Sequence, residues 1–320
     1  MPTTAIVFAI RNENKSRYLK LMEIFLYLYY NNVSMLNLIP RNTILILLYI
    51  VLFIIIFSFF TFYMSIRPGK WPAHFTPEIL DLEYENVAFK SSDGLKLKGW
   101  FLPGKGNNTI IVMHGYPTNK ADVLPFSMFL LEKFNVFLFD FRSFGESEGK
   151  YTTAGFKEVN DLDGAVSYLK TREDTGNIGA LGFSLGGAVA IMNKNENIDA
   201  IVSDSAYSNL NNMIESMYRN FYFLKPPFVL LTRIYSKLFF GIDIKDVSPA
   251  TDIKKKNKSI FIIHGKKDRQ IDANEAQILY NANKKTELWI VENAGHGQTY
   301  ALNKEEYENR VLGFFEKNLS

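Results

Sequence analysis
Residues 179–190 read GALGFSLGGAVA and place Ser184 between Gly182 and Gly186, where an apolar run meets a run of small residues. A serine on a sharp strand-to-helix turn projects its hydroxyl past the sheet edge, and glycines two positions to either side relieve the crowding. The letters G-x-S-x-G alone are a weak signal, because a glycine-rich helix start in an ordinary α/β protein produces them too. The setting discriminates. NIGALGF (177–183) reads as a buried strand, and Gly186, Gly187, Ala188 and Ala190 let the next helix pack closely on a sheet. Ser184 is the expected nucleophile.

A hydroxyl attacks only when a base takes its proton. The chain has 4 histidines, at 74, 114, 264 and 296. His74 precedes the first expected strand, while His114 and His264 each close an apolar run in an HG pair, which fits a structural strand end. His296 stands in ENAGHGQTY (292–300), a glycine-flanked loop that suits a base serving nucleophile and leaving group in turn. The base needs an orienting carboxylate. Asp268, in HGKKDRQID (264–272), is favoured because the chain order serine, acid, histidine belongs to this strand–turn–helix architecture. Asp272, Asp140 and Asp204 are the alternatives. Two backbone N–H groups should hold the developing oxyanion: that of Leu185, directly after the nucleophile, and that of Tyr116 in HGYPTNKAD (114–122), where Pro117 has none to give.

The elements that must position these groups alternate. ENVAFKS and LKLKGWFLP flank the turn SDG (92–94), as in a hairpin. TIIVMHG (109–115), NVFLFDF (135–141), NIGALGF, IDAIVSDS (198–205), SIFIIHG (259–265) and ELWIVE (287–292) are short apolar runs of the kind buried on both faces. Helical segments are expected near 121–133, over 156–170, behind Ser184, near 273–283 and over 303–318. That alternation predicts an α/β fold, a mostly parallel eight-stranded sheet with helices on both faces, with chemistry at the carboxyl ends of the strands. Residues 209–243 exceed a simple connection. They read as helical with a break at Pro226-Pro227, and they are crowded with methionines and aromatics.

Composition narrows the function. Charged residues make up 22% of the chain and the net charge is +3, too small a surplus to argue for nucleic acid. The chain has no cysteine, which excludes disulfides and thiolate chemistry. No metal-ligand spacing and no nucleotide fingerprint occurs, so no cofactor is expected. Between Arg41 and Arg67 no residue is charged. That stretch exceeds the roughly 20 residues needed to cross a bilayer, is too long for a signal-peptide core, and has no small-residue cleavage site after it. The expected organisation is an N-terminal segment (1–42), a transmembrane helix (43–66), a linker (67–83) and a catalytic domain (84–320) with a cap insertion at about 209–250. Arg11, Lys15, Arg17, Lys20 and Arg41 precede the span and Arg67 and Lys70 follow it, so the charge count is nearly balanced. The orientation adopted is single-pass, with the catalytic domain outside the cytoplasm. Residues 18–30 are a second stretch that could lie on the membrane surface, and Met35 is an alternative start.

Together, HGYPTNKAD, DFRSFGESEG (140–149), GFSLGG (182–187), HGKKD (264–268) and GHG (295–297) resemble the α/β-hydrolase superfamily over residues 84–318. More narrowly, the chain is similar to membrane-anchored bacterial hydrolases related to protein-depalmitoylating serine hydrolases and to the prolyl oligopeptidase catalytic domain. It departs from the superfamily segment D-x-R-G-x-G-x-S in carrying Ser143 where glycine is usual. The resemblance implies hydrolysis of an ester, thioester or amide through an acyl-enzyme on Ser184, with Asp268 and His296 completing the set and residues 209–250 capping the site. Aromatics and methionines in the cap, close to a membrane anchor, favour an acylated or lipidic substrate. Two other readings compete: a peptidase acting on short peptides, and a silent scaffold that retains only the fold. The expected partners are the substrate and the lipid bilayer, and the oligomeric state is left open.

Overall fold
The computed structural model describes residues 40–319, with residues 20, 22–24 and 27 ahead of them. Met35, Arg11, Lys15 and Arg17 lie outside the described residues, as does most of the 18–30 stretch. The chain divides into two compact units, residues 1–57 and residues 58–320. Helix α1 (Arg41–Ser65) is long and apolar enough to cross a membrane, with a mean hydropathy of 3.0. Nearly all of its first 17 residues are exposed, which rules out a buried core helix.

The second unit is built on an eight-stranded sheet of order β1-β2-β4-β3-β5-β6-β7-β8. Its strands are β1 (Glu85–Lys90), β2 (Lys96–Leu102), β3 (Thr109–Met113), β4 (Asn135–Phe139), β5 (Ile178–Phe183), β6 (Ile198–Asp204), β7 (Ser259–Gly265) and β8 (Glu287–Val291). The hairpin β1–β2 and the pairing of β2 with β4 are antiparallel, and every other pairing is parallel. Side chains alternate between faces with the period of a strand. Ile111, Met113, Phe137 and Phe139 enter one core with helices α2 (Glu158–Leu169), α3 (Leu185–Met192) and, later in the chain, α6 (Asn274–Ala282). Ile110, Val112, Val136 and Leu138 enter the other, which is covered by α7 (Lys304–Asn318). Between β6 and β7 the chain forms α4 (Leu210–Met217), a 3-10 turn and α5 (Lys225–Phe240).

Two local expectations change. The helix sought near 121–133 is a single turn at Lys120–Val123 and a 3-10 stretch at Met128–Glu132. Pro125 has no N–H to continue the helical ladder and its ring crowds the carbonyl four residues back, so the helix does not run through. Pro226 and Pro227 do not interrupt a helix; they sit in the first turn of α5, where the missing N–H groups have no intrahelical acceptor to lose.

The departure at Ser143 is absorbed by the backbone. Ser143 adopts φ +70°, the left-handed conformation that glycine takes without strain, and its amide donates to the Glu148 carbonyl at 2.9 Å. Its hydroxyl is buried with no hydrogen-bond partner among the described residues. Ser143→Gly removes both the strained side chain and the orphaned hydroxyl. It should raise unfolding stability by about 1 kcal/mol, read as an upward shift in the thermal midpoint.

Candidate active site
Ser184 forms the corner between β5 and α3, with φ 53° and ψ −110°. Such a conformation costs a non-glycine residue on the order of 1–3 kcal/mol and persists only where surroundings enforce it. Here the Ser184 amide donates to the Asp204 carbonyl at 2.8 Å, and the Ser184 carbonyl accepts from the Ala188 amide at 3.1 Å. The glycines are needed for space. A Cβ on Gly182 would lie 2.2 Å from the Gly186 backbone, and one on Gly186 would lie 2.5 Å from the Met113 carbonyl oxygen. The small residues at these positions let α3 start directly against the sheet, and they leave the Ser184 side chain half-buried at the strand end.

The loop after β8 brings His296 to the same rim. Its ring centroid is 5.1 Å from that of Phe183, the residue preceding Ser184. His296 Nδ1 is 2.7 Å from Asp268 Oδ2. An ionised Asp268 accepts there, which places the imidazole proton on Nδ1 and leaves Nε2 with its lone pair. Among the described residues neither the Ser184 hydroxyl nor His296 Nε2 has a hydrogen-bond partner. Catalytic hydrogen bonds are often long or unformed before substrate binds.

Asp268 is held firmly. Its Oδ1 accepts from the amides of Gln270 and Ile271 at 2.8 and 2.9 Å. Burial raises its pKa, but hydrogen bonds from His264, His296 and the Ile271 amide outweigh this and hold it well below the usual carboxylate range. His264 is more than a strand end. Its Nε2 lies 2.9 Å from the Ile271 carbonyl oxygen and 3.4 Å from Asp268 Oδ2, so two imidazoles share one carboxylate. Burial lowers the His264 pKa, yet the Asp268 carboxylate and the Ile271 carbonyl raise it further, and the net shift is upward. The four-residue spacing in HGKKD was the available sequence signal for this contact.

The loop after β3 passes directly beside Ser184, since a Cβ on Gly115 would lie 3.1 Å from Ser184 Cβ. The amides of Tyr116 and Leu185 have no acceptor among the described residues, so both are available to an oxyanion. The loop is fixed from both ends. His114 Nε2 accepts from the Phe141 amide at 3.1 Å, which puts the proton on Nδ1, facing the Gly115 carbonyl at 2.7 Å. Burial lowers the pKa of His114 and keeps it neutral. At the other end Lys120, 1% exposed, donates from its amide to Asp140 Oδ1 at 2.9 Å. Its ammonium reaches Asp140 Oδ2 at 2.7 Å and Glu146 Oε2 at 2.6 Å, and lies over the Trp100 ring. Lysine next to a turn reads as solvated in sequence, and its burial depends on carboxylates contributed by another loop.

The alternative acids serve elsewhere. Asp140 holds Lys120. Asp272 is exposed and accepts from the Asn274 amide at 2.8 Å. Asp204 is buried and accepts from the hydroxyls of Thr299 and Ser205 at 2.5 and 2.8 Å, which ties the His296 loop to β6. His74 is exposed in the segment before β1. Beside Phe183 and Gly297 is a cavity of about 80 Å³, lined mainly by apolar side chains such as Val112, Val123, Phe126 and Leu181. That is well below the roughly 300–1,000 Å³ of a drug-sized ligand site.

A mostly parallel eight-stranded sheet with this strand-to-helix corner defines an α/β hydrolase of the esterase and peptidase type. Residues 146–320 match the model of the prolyl oligopeptidase family, and the chain belongs to that family. The Bacillus subtilis (strain 168) protein YqkD is 31% identical over 245 residues, covering 73% of this chain and 80% of that protein. The Pyrococcus furiosus esterase Pf2001 is similar in structure, with a TM-score of 0.68 and 30% identity over 80% of this chain and all of that one. Thiohydrolase aneE of Aspergillus aculeatus is 37% identical over 115 residues, covering 34% of this chain and 36% of that protein.

Proposed function
We propose that the protein is a membrane-anchored serine hydrolase that cleaves a carboxylic ester or thioester through an acyl-enzyme on Ser184. The observation that carries this reading is the 2.7 Å contact between Asp268 and His296 on the rim that holds Ser184 in its strained corner. His296 Nε2 takes the hydroxyl proton as Ser184 Oγ adds to the substrate carbonyl, and the amides of Leu185 and Tyr116 hold the oxyanion. The histidine then protonates the departing alcohol or thiol, and water reverses the sequence to free the acid. Asp268 orients the imidazole and stabilises its charged form. The relationship to an esterase and a thiohydrolase supports oxygen and sulfur leaving groups.

The reading includes a retained anchor over residues 43–66, a linker to 83 and a catalytic domain to 320 capped by about 209–250. The last two turns of α1 support retention. Phe62 and Ile66 are buried with Tyr235 of α5, and the Ile66 carbonyl accepts from the Thr152 amide at 2.8 Å. Cleavage of a signal sequence would strip packed residues from the catalytic unit.

An acylated substrate fits the aromatic cap, and the family also gives weight to amide cleavage. The two part on turnover. A series of p-nitrophenyl esters and thioesters of increasing acyl length should be hydrolysed with kcat/KM at least about 100-fold above that for aminoacyl-p-nitroanilides, since the described cap offers no acidic cluster for a peptide amine. Preference for the anilides would overturn the ester reading and leave the family assignment standing.

A further inference from the structure
We propose that the outer face of the cap helix α5 lies in the boundary between head groups and acyl chains of the bilayer, as a second membrane contact beside the anchor; this rests on reading α1 as a retained span. The face is a row spaced by four: Leu230, Ile234 and Leu238 are 55%, 42% and 75% exposed. Residues so spaced form one ridge along a helix. The neighbouring ridge, Leu231, Tyr235 and Phe239, faces the end of α1. Tyr235 packs edge-on against Phe59 with ring centroids 5.4 Å apart and lies 5.5 Å from Phe62, and its hydroxyl is 3.1 Å from Ser58 Oγ. Phe239 lies 5.8 Å from both Phe59 and Phe62.

These contacts fix the depth of α5. The uncharged stretch between Arg41 and Arg67 spans about 37 Å as a helix at ~1.5 Å per residue, against a hydrocarbon core of about 30 Å. Phe59 and Phe62 are three to six residues from the helix end at Ser65, so they lie roughly 5–9 Å from it. Side chains that touch them therefore stand at the level where chains give way to head groups. An exposed apolar ridge at that level meets lipid. The charges agree: from residue 216 to 242 the chain carries Arg219, Lys225, Arg233 and Lys237 and no acidic residue. Glu215 already accompanies Lys225 and Arg233 at 3.4 and 3.9 Å, and Arg219 donates to the Arg269 carbonyl, which leaves Lys237, between Ile234 and Leu238 in sequence, to face anionic head groups. Tyr222 and Phe223, just ahead of α5, are 81% and 84% exposed and are of the types that favour this boundary.

The absence of cysteine makes the test direct. Leu230→Cys, Leu238→Cys, Ile50→Cys and Lys170→Cys are each labelled with an environment-sensitive fluorophore in the full chain, reconstituted into phosphatidylcholine–phosphatidylglycerol vesicles. Labels at 230 and 238 should lose roughly twofold or more of their emission to lipids carrying a shallow acyl nitroxide and be shielded from aqueous iodide. The label at 170 should show the reverse. Iodide quenching at 230 and 238, with lipid quenching retained at 50, would overturn the proposal and leave the anchor in place. Blue-shifted emission at 230 and 238 without nitroxide quenching would mean a second protein copy covers the ridge, which also overturns it. Loss of lipid quenching at position 50 would remove the anchor and the proposal together. None of these readings depends on catalysis.

Discussion
His296→Ala will lower kcat on an acyl ester by roughly 10⁴-fold or more while leaving the protein folded. Among the described residues no other imidazole is placed to take a proton from Ser184, because His264 is fully buried with Nε2 held at Ile271 and Asp268, and His114 is fully buried with both ring nitrogens held at Phe141 and Gly115. The fold survives for the same reason that the site is well ordered. Asp268 keeps the amides of Gln270 and Ile271 and the imidazole of His264 as donors, so no unpaired charge is left buried. Residues that act as one unit are also non-additive. Combining His296→Ala with Ser184→Ala should cost no more than the worse of the two alone. Steady-state rates for the single and double variants, with circular dichroism as the check on folding, read both expectations. A His296→Ala enzyme within tenfold of wild type would assign the base elsewhere.

Arg142→Met should be the most destabilising single change outside the two cores. Arg142 is 3% exposed and joins three parts of the chain. Its guanidinium meets Asp161 of α2 at 2.7 Å and Asp93 of the β1–β2 turn at 2.7 and 2.8 Å, and its amide donates to Asp161 at 2.9 Å. Asp93 is held far below the usual carboxylate range, chiefly by its hydrogen bonds from Arg142. Removing the cation leaves Asp161, itself fully buried, with the amide of residue 142 as its remaining donor and no balancing charge, at a cost of about 3–5 kcal/mol. For a domain of this size each kcal/mol lowers the midpoint by roughly 2–4 °C, so thermal unfolding should come on the order of 10 °C earlier. The control is Arg142→Met with Asp161→Leu. Replacing both charges by apolar side chains should recover most of the loss, because the penalty comes from the orphaned carboxylate. If the double variant unfolds as early as the single one, the segment 140–149 is held by something other than this pair.

Much of the fold was legible because its signals are local. Apolar runs such as TIIVM and NVFLF mark strands buried on both faces, and the glycines around Ser184 mark a corner that larger residues could not turn. The juxtaposition of Asp268 and His296 could be anticipated from where the strands end, since parallel strands deliver their following loops to one rim. Other features needed coordinates. Pro125 outweighed an apolar pattern that otherwise reads as one helix. The second role of His264 arises from a carboxylate folding back over a strand end, and Lys120 is buried because Asp140 and Glu146, from a loop 20 residues on, meet its ammonium. The left-handed backbone at Ser143 is not signalled by the serine itself; the hint is the glycine that the superfamily segment usually carries there.

The most direct measurement of the central claim is covalent labelling of the full chain, in detergent or vesicles, by a fluorophosphonate probe, which reacts only with an activated serine. The expected result is stoichiometric labelling of wild type, labelling abolished in Ser184→Ala, and labelling slowed by orders of magnitude in His296→Ala. A folded wild type that stays unlabelled, or a Ser184→Ala variant that labels as fast as wild type, would contradict it.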